Sequence, residues 1–173
     1  DIRVLRSLQE ALRKGEWAVT VAVHRSTRIT AVWPGLIDHA YGIAFDIGST
    51  TIAAHLCDLA SGEVVNSGGV MNPQIRFGED LMSRVSYIMM NPGGEVDLTE
   101  SVRTAINDLA HDVINEVNVR SDSVLNITVV GNPIMHHLVL GINPIELGGA
   151  PFALSTNSGM TLWATEVDID SVN

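Results

Sequence analysis

Between Tyr41 and Val70, three strand-length runs (Gly42 to Asp46, Thr51 to Asp58 and Val64 to Val70) are separated only by the turns Ile47-Gly48-Ser49 and Ala60-Ser61-Gly62. Connections this short join antiparallel neighbours, because parallel strands need a crossover of a dozen residues or more. The segment is therefore an antiparallel meander, and the later elements of the chain have to be built onto that sheet. Leu81, Val85, Ile88 and Met89 recur at helical spacing and stop at Asn91-Pro92-Gly93-Gly94. Leu98, Val102, Ala105, Ile106, Leu109, Val113 and Val117 repeat the pattern, with Asp97 and Glu100 placed to cap a second helix. Leu125 to Val130 is a β-branched run ending in Gly131-Asn132-Pro133, and Met135 to Leu140 reads as a helix closed by Gly141. This order predicts an α/β fold with a mixed sheet, its new parallel strand set beside the first by a right-handed crossover.

Upstream, Val4, Leu5, Leu8, Ala11 and Leu12 describe a short amphipathic helix closed by Lys14-Gly15. Trp17, Val19, Val21 and Val23, then Ile29, Ala31 and Trp33, alternate around the polar stretch Arg25 to Arg28, which describes a β-hairpin. Residues 1–40 read as the end of a preceding small α+β domain or a linker. Periodicity is lost from Pro144 on, so 153–173 reads as a loop or edge segment, with an edge strand near Leu162 to Val167.

The chain has 173 residues, 46% of them hydrophobic, enough for one core. Its formal charge of −10 offers no basic surface to release counterions from nucleic acid or an anionic membrane, so neither is expected as a partner. No apolar stretch approaches the roughly 20 residues that span a bilayer. Cys57 is the only cysteine, which excludes an internal disulfide or a cysteine-held iron–sulfur cluster within the chain and fits a reducing, cytoplasmic setting. The start Asp1-Ile2-Arg3-Val4 has neither an initiator Met nor a signal-peptide pattern, so we read the chain as a piece of a longer protein.

The residue order Gly42-Ile43-Ala44-Phe45-Asp46-Ile47-Gly48-Ser49-Thr50-Thr51 delivers an Asp at the end of an apolar strand. A glycine turn then gathers three hydroxyl residues and their amides, which suits a polyphosphate. A carboxylate repels phosphate but holds Mg²⁺, usually through water, so metal positioning is the natural role for Asp46. The residues alone leave an ordinary hairpin with a Gly/Ser turn open. Glu79 and Asp80 complement the positive end of a helix, and Arg76 and Arg84, rare cations open to a phosphate or to pairing, read as partners for neighbouring carboxylates. His136 and His137 point about 100° apart on a helix, which suits one core and one surface histidine better than a metal pair. Cys57 and the methionines read as packing residues.

The stretch Asp46 to Thr51 resembles the first phosphate motif of the actin, Hsp70 and sugar-kinase superfamily. Asn72-Pro73-Gln74-Ile75-Arg76-Phe77-Gly78-Glu79-Asp80-Leu81-Met82-Ser83-Arg84-Val85 and Gly131-Asn132-Pro133-Ile134-Met135-His136-His137-Leu138-Val139-Leu140-Gly141 resemble a narrower group. That group is the reductive activators of corrinoid proteins, ATPases that also carry a plant-type [2Fe–2S] domain. The resemblance covers about Trp17 to Phe152 and implies a ribonuclease H-like first lobe of an actin-like ATPase domain over 41–152. It implies Mg²⁺ near Asp46, the phosphates of ATP around Gly48, Ser49, Thr50 and Thr51, and a corrinoid protein as partner. Asn132, at the end of the parallel strand, either reaches the nucleotide or caps the next helix.

No second Asp-x-Gly-[Ser/Gly/Thr] element comes after Asn132, and no cysteine cluster is present, so the second lobe and the iron–sulfur domain are expected outside this chain. In this reading the parent protein uses ATP to return an inactive Co(II) corrinoid to Co(I) with an electron from the iron–sulfur domain. A non-enzymatic dimerisation or docking module of the same fold is the alternative. Faces left uncovered by the missing lobe lead us to expect a homodimer either way.

Overall fold

The computed structural model describes residues 2–169. Helix α1 (Ile2–Lys14) packs on the hairpin of β1 (Val19–His24) and β2 (Arg28–Pro34), burying Val4, Ala11 and Val32 in a small core. The expected alternation starts later than Trp17, which lies outside β1 with φ of 71° and is 78% exposed. Trp33 ties this unit to the rest, its indole donating to the Asp122 carbonyl at 3.2 Å.

The meander forms as β3 (Tyr41–Ile47), β4 (Thr51–Asp58) and β5 (Val64–Met71). Two helices come next, α2 (Leu81–Met90) and α3 (Gly94–Asn115), and then β6 (Val124–Gly131) and α4 (Pro133–Leu140). The sheet order is β5-β4-β3-β6, with β6 parallel to β3 and the other pairs antiparallel. This is the mixed α/β sheet expected from the chain order.

Alternation divides the sheet into two faces. Ile43, Phe45, Ile47, Ile52, Ala54 and Leu56 are buried against Leu98, Val102, Ile106, Leu109 and Val113 of α3. Gly68 makes that approach close: a Cβ there would lie 2.9 Å from Val113 Cγ1 and 3.0 Å from Leu109 Cδ1. The opposite face carries Ala44, Asp46, Ala53, His55 and Thr128, and no helix covers it among the described residues.

Two local expectations are corrected. Asp97 does not cap α3, because the helix starts at Gly94, directly after Gly93 in the left-handed region. A side chain at Gly94 would meet the Tyr87 ring at 2.8 Å, so glycine lets the chain reverse this early and leaves Asp97 in the first turn, facing the helix dipole. The edge strand near Leu162 to Val167 is instead a 3-10 turn over Ala164–Val167. The Glu166 carboxylate accepts from Trp163 N at 2.6 Å, and Arg103 of α3 holds Asp168 at 2.5 Å, so side-chain bonds replace a ladder. Residues 170–173 of that segment lie outside the described residues. Among the described residues no helix is long and apolar enough to cross a membrane.

Candidate functional site

Parallel pairing sets Ile47 opposite Gly131, so β3 and β6 end side by side and the β3–β4 turn stands next to the β6–α4 turn. Gly131 allows this contact, since a Cβ would sit 3.1 Å from Ile47 O and 3.3 Å from Met135 Cβ. Buried Ile47 and Ile52 pair across the hairpin and anchor the turn. The fold thus brings Asp46, Gly48, Ser49, Thr50, Thr51 and Asn132 to one end of the sheet.

Every carbonyl of the turn is held. Gly48 O accepts from Asn72 Nδ2 at 2.8 Å, Ser49 O from Arg84 Nη2, Thr50 O from Asn72 N at 2.8 Å, and Thr51 O from Gly48 N at 3.0 Å. A trans peptide directs its N–H opposite to its C=O. Fixing the carbonyls of Gly48, Ser49 and Thr50 therefore turns the amides of Ser49, Thr50 and Thr51 away from the groups that hold them. The Ser49 and Thr50 amides and the hydroxyls of Ser49, Thr50 and Thr51 donate to no other described residue. Gly48 is required by space: a Cβ would lie 2.7 Å from Thr51 O.

The bracket behind the turn is polar and buried. Asn72, Gln74 and Arg84 are each 0% exposed. Asn72 Oδ1 accepts from Gln74 N at 3.0 Å, and Gln74 Nε2 donates to Leu98 O of α3 at 2.9 Å. Arg84 donates from Nε to Gly78 O at 3.0 Å and from Nη1 to Gln74 Oε1 at 3.1 Å and Met135 Sδ at 3.4 Å. Met135 also lies 3.8 Å from Asn72 Nδ2, so α4 joins the same network. Gly78 permits the chain to pass α2, because a Cβ would meet Arg84 N at 2.7 Å.

Arg84 corrects the sequence reading. Among the described residues it pairs with no carboxylate; its acceptors are carbonyls, an amide oxygen and a sulfur. Burial pushes its pKa down, with the charge of Asp80 opposing. Arg76 lies over the Phe77 ring at 4.6 Å and forms no ion pair among the described residues. Asp80 caps α2 as expected, accepting from Ser83 N at 2.7 Å, a bond that holds its carboxyl below the ordinary range. The bracket was missed in the sequence because its members bond the turn across 24 and 35 residues. The available signal was Arg84 itself, a cation one helical turn from Leu81 and Ile88 on the apolar stripe of α2.

Asp46 is exposed on the uncovered face, opposite Ala53 and Val130, and its carboxylate bonds no described residue. Asn132 caps α4, its Oδ1 accepting from Ile134 N at 3.0 Å and Met135 N at 3.1 Å. His137 is buried, donating from Nδ1 to Pro133 O at 2.7 Å and accepting from Ser155 N at 3.2 Å, which leaves no lone pair for a metal. Among the described residues no three His, Cys, Asp or Glu side chains gather as a metal-holding group. Mg²⁺, which keeps several waters and takes one or two carboxylates, does not require one. Free amides over a neutral turn beside one unbonded carboxylate fit a Mg²⁺-phosphate group.

Fold and site together define an α/β lobe that presents a donor-lined hairpin turn beside a free carboxylate. The chain belongs to the RACo family: the family model described as the RACo middle region matches residues 41–173, and the RACo linker region matches residues 1–39. It is 35% identical over 112 residues to the "Corrinoid activation enzyme RamQ" of Eubacterium limosum, covering 65% of this chain and 19% of that protein. A solved "Reductive activator for corrinoid,iron-sulfur protein" superposes with a TM-score of 0.81 at 31% identity, covering 98% of this chain and 28% of that one. The chain thus spans less than a third of either relative.

Proposed function

We propose that this chain is one jaw of the nucleotide site of an ATP-dependent reductive activator, and that the parent protein returns a Co(II) corrinoid protein to Co(I). The observation that carries the reading is the β3–β4 turn, whose Gly48, Ser49 and Thr50 carbonyls are engaged by Asn72 and Arg84 while the Ser49 and Thr50 amides donate to no other described residue. Ser49, Thr50 and Thr51 receive the β- and γ-phosphate oxygens, and Gly48 keeps the turn tight enough for them to converge. Asp46 holds Mg²⁺ through water, and the ion's chemistry is to neutralise charge on the phosphates. Asn132 keeps its Oδ1 for the helix and offers its amide N–H toward the same end of the sheet. The second jaw, and the [2Fe–2S] group that supplies the electron, belong to other parts of the parent protein. The partner is a corrinoid protein, and the assembly is a homodimer.

The test is made on the full-length protein with its corrinoid partner, following ATP hydrolysis and the Co(I) absorption band together. Asp46→Ala is expected to lower turnover by roughly 10²–10³-fold or more, with Co(I) formation falling in step. Wild-type turnover in that variant overturns the assignment. Association with the partner that ignores Mg-nucleotide altogether favours the docking-module reading.

A further inference from the structure

We infer that Arg84 is the positioning residue of the phosphate turn and the source of its positive potential, a buried cation whose counter-charge is the phosphate of the ligand. This rests on the reading of the turn as a nucleotide site. A charged side chain is almost never fully buried without an opposite charge, because desolvation is costly. Arg84 is 0% exposed, yet its four acceptors, Ser49 O, Gly78 O, Gln74 Oε1 and Met135 Sδ, are all neutral. The carboxylate whose charge acts on it, Asp80, is engaged by Ser83 N and Oγ at the cap of α2. The guanidinium stays ionised at any physiological pH.

The peptide between Ser49 and Thr50 gives this charge a direction. Its C=O accepts from Arg84 on the buried side, so its N–H faces the other way, where Thr50 is exposed. A cation on the carbonyl side polarises that peptide and strengthens its N–H as a donor to an anion. The same hub reaches Gln74, bonded to α3, and Met135 of α4, so the turn is held against three helices. Arg84 touches no ligand in this arrangement; it acts through the turn.

The full-length protein is titrated by calorimetry with MgATP, MgADP and adenosine, comparing wild type, Arg84→Gln, Arg84→Lys and the exposed control Arg76→Gln. Arg84→Gln is expected to weaken MgATP and MgADP by roughly tenfold to a hundredfold while adenosine changes by less than about twofold. Arg84→Lys is expected to recover part of the loss, and Arg76→Gln to match wild type. Equal losses for adenosine and the nucleotides, or a lysine variant as weak as the glutamine one, overturn the inference. Where circular dichroism shows Arg84→Gln unfolded, Gln74→Glu carries the test with adenosine titrated beside MgADP: a carboxylate there neutralises the guanidinium, and because it also removes the donor to Leu98 O, only a loss confined to the phosphate-bearing ligand counts. MgADP affinity has to fall in that variant, and unchanged affinity overturns the inference. A wild-type protein that binds no nucleotide overturns the reading of the turn itself, and this inference with it.

Discussion

The two turns of the meander, Gly48 to Thr50 and Leu59 to Glu63, join strands of one sheet and are each preceded by an aspartate, yet they are bonded in opposite senses. In the second turn Asp58 consumes the amides: its Oδ1 accepts from Ala60 N at 2.7 Å and Ser61 N at 3.3 Å, and its carbonyl accepts from Gly62 N at 2.8 Å. Asp58 is buried, and the Ala60 amide and then His39 hold its carboxyl below the ordinary range. In the first turn the carbonyls are consumed by Asn72, Arg84 and Gly48, and Asp46 stands exposed without a protein partner. One turn is closed on itself. The other keeps its donors for something else, and the difference comes from the bracket behind it rather than from the turn's own residues.

The comparison can be broken at the bracket first. Asn72→Ala empties a fully buried site and leaves the part-buried Gly48 O without its donor, and we expect a loss of about 2–3 kcal/mol in denaturant unfolding. Ser61→Ala in the second turn removes only an exposed 3.2 Å bond from Glu63 N and is expected to cost about 0.5 kcal/mol or less. Equal losses would mean that the bracket is not what sets the first turn apart.

Glycine gives a second contrast. At Gly48 a methyl meets Thr51 O at 2.7 Å, so Gly48→Ala is expected to cost about 1–3 kcal/mol by overpacking and to weaken MgADP binding in the full-length protein. At Gly62 space is open but φ is +78°, so Gly62→Ala costs about 1 kcal/mol of backbone strain and leaves nucleotide binding untouched. Thermal unfolding and calorimetry on both variants check this pair.

The smallest effect is a pH dependence confined to the second turn. His39 Nδ1 lies 2.6 Å from Asp58 Oδ2, and Asp38 lies 3.8 Å from Nε2. The bond to Asp58, then the Asp38 charge, raises the His39 pKa above its ordinary value of 6.5. Its contribution is complete below that value and is lost as pH rises through the raised one. Asp58, lowered from 3.8, contributes above that value and loses its share as pH falls through the lowered one. Both shares are present between those two ordinary values. The stability gap between wild type and His39→Gln should therefore be larger near about pH 5.5 than near about pH 8.5. A gap that grows with pH contradicts the pairing.

The meander and helices α2 and α4 were legible because each is written locally, as alternation, helical spacing or Gly-Asn-Pro punctuation, and the parallel placement of β6 followed from their order and the handedness of crossovers. Asp46 and the turn residues were legible as a group for the same reason. The bracket was not, because Asn72 and Gln74 entered only as part of the family-like stretch Asn72 to Val85, and Arg84 as a partner for a neighbouring carboxylate. Their meaning depends on carbonyls far away in sequence. The residues Leu162 to Val167 misled in the other direction: an edge strand was expected in a stretch without periodicity, and side-chain bonds from Glu166 and Arg103 hold a turn there instead.

Amide hydrogen exchange on the full-length protein, with and without MgATP, reads out the donors that the first turn keeps and the second turn spends. Slower exchange at Ser49 and Thr50, with Ala60 and Ser61 unchanged, is the expected result. Nucleotide that binds while Ser49 and Thr50 exchange as before, or that slows both turns alike, would contradict it.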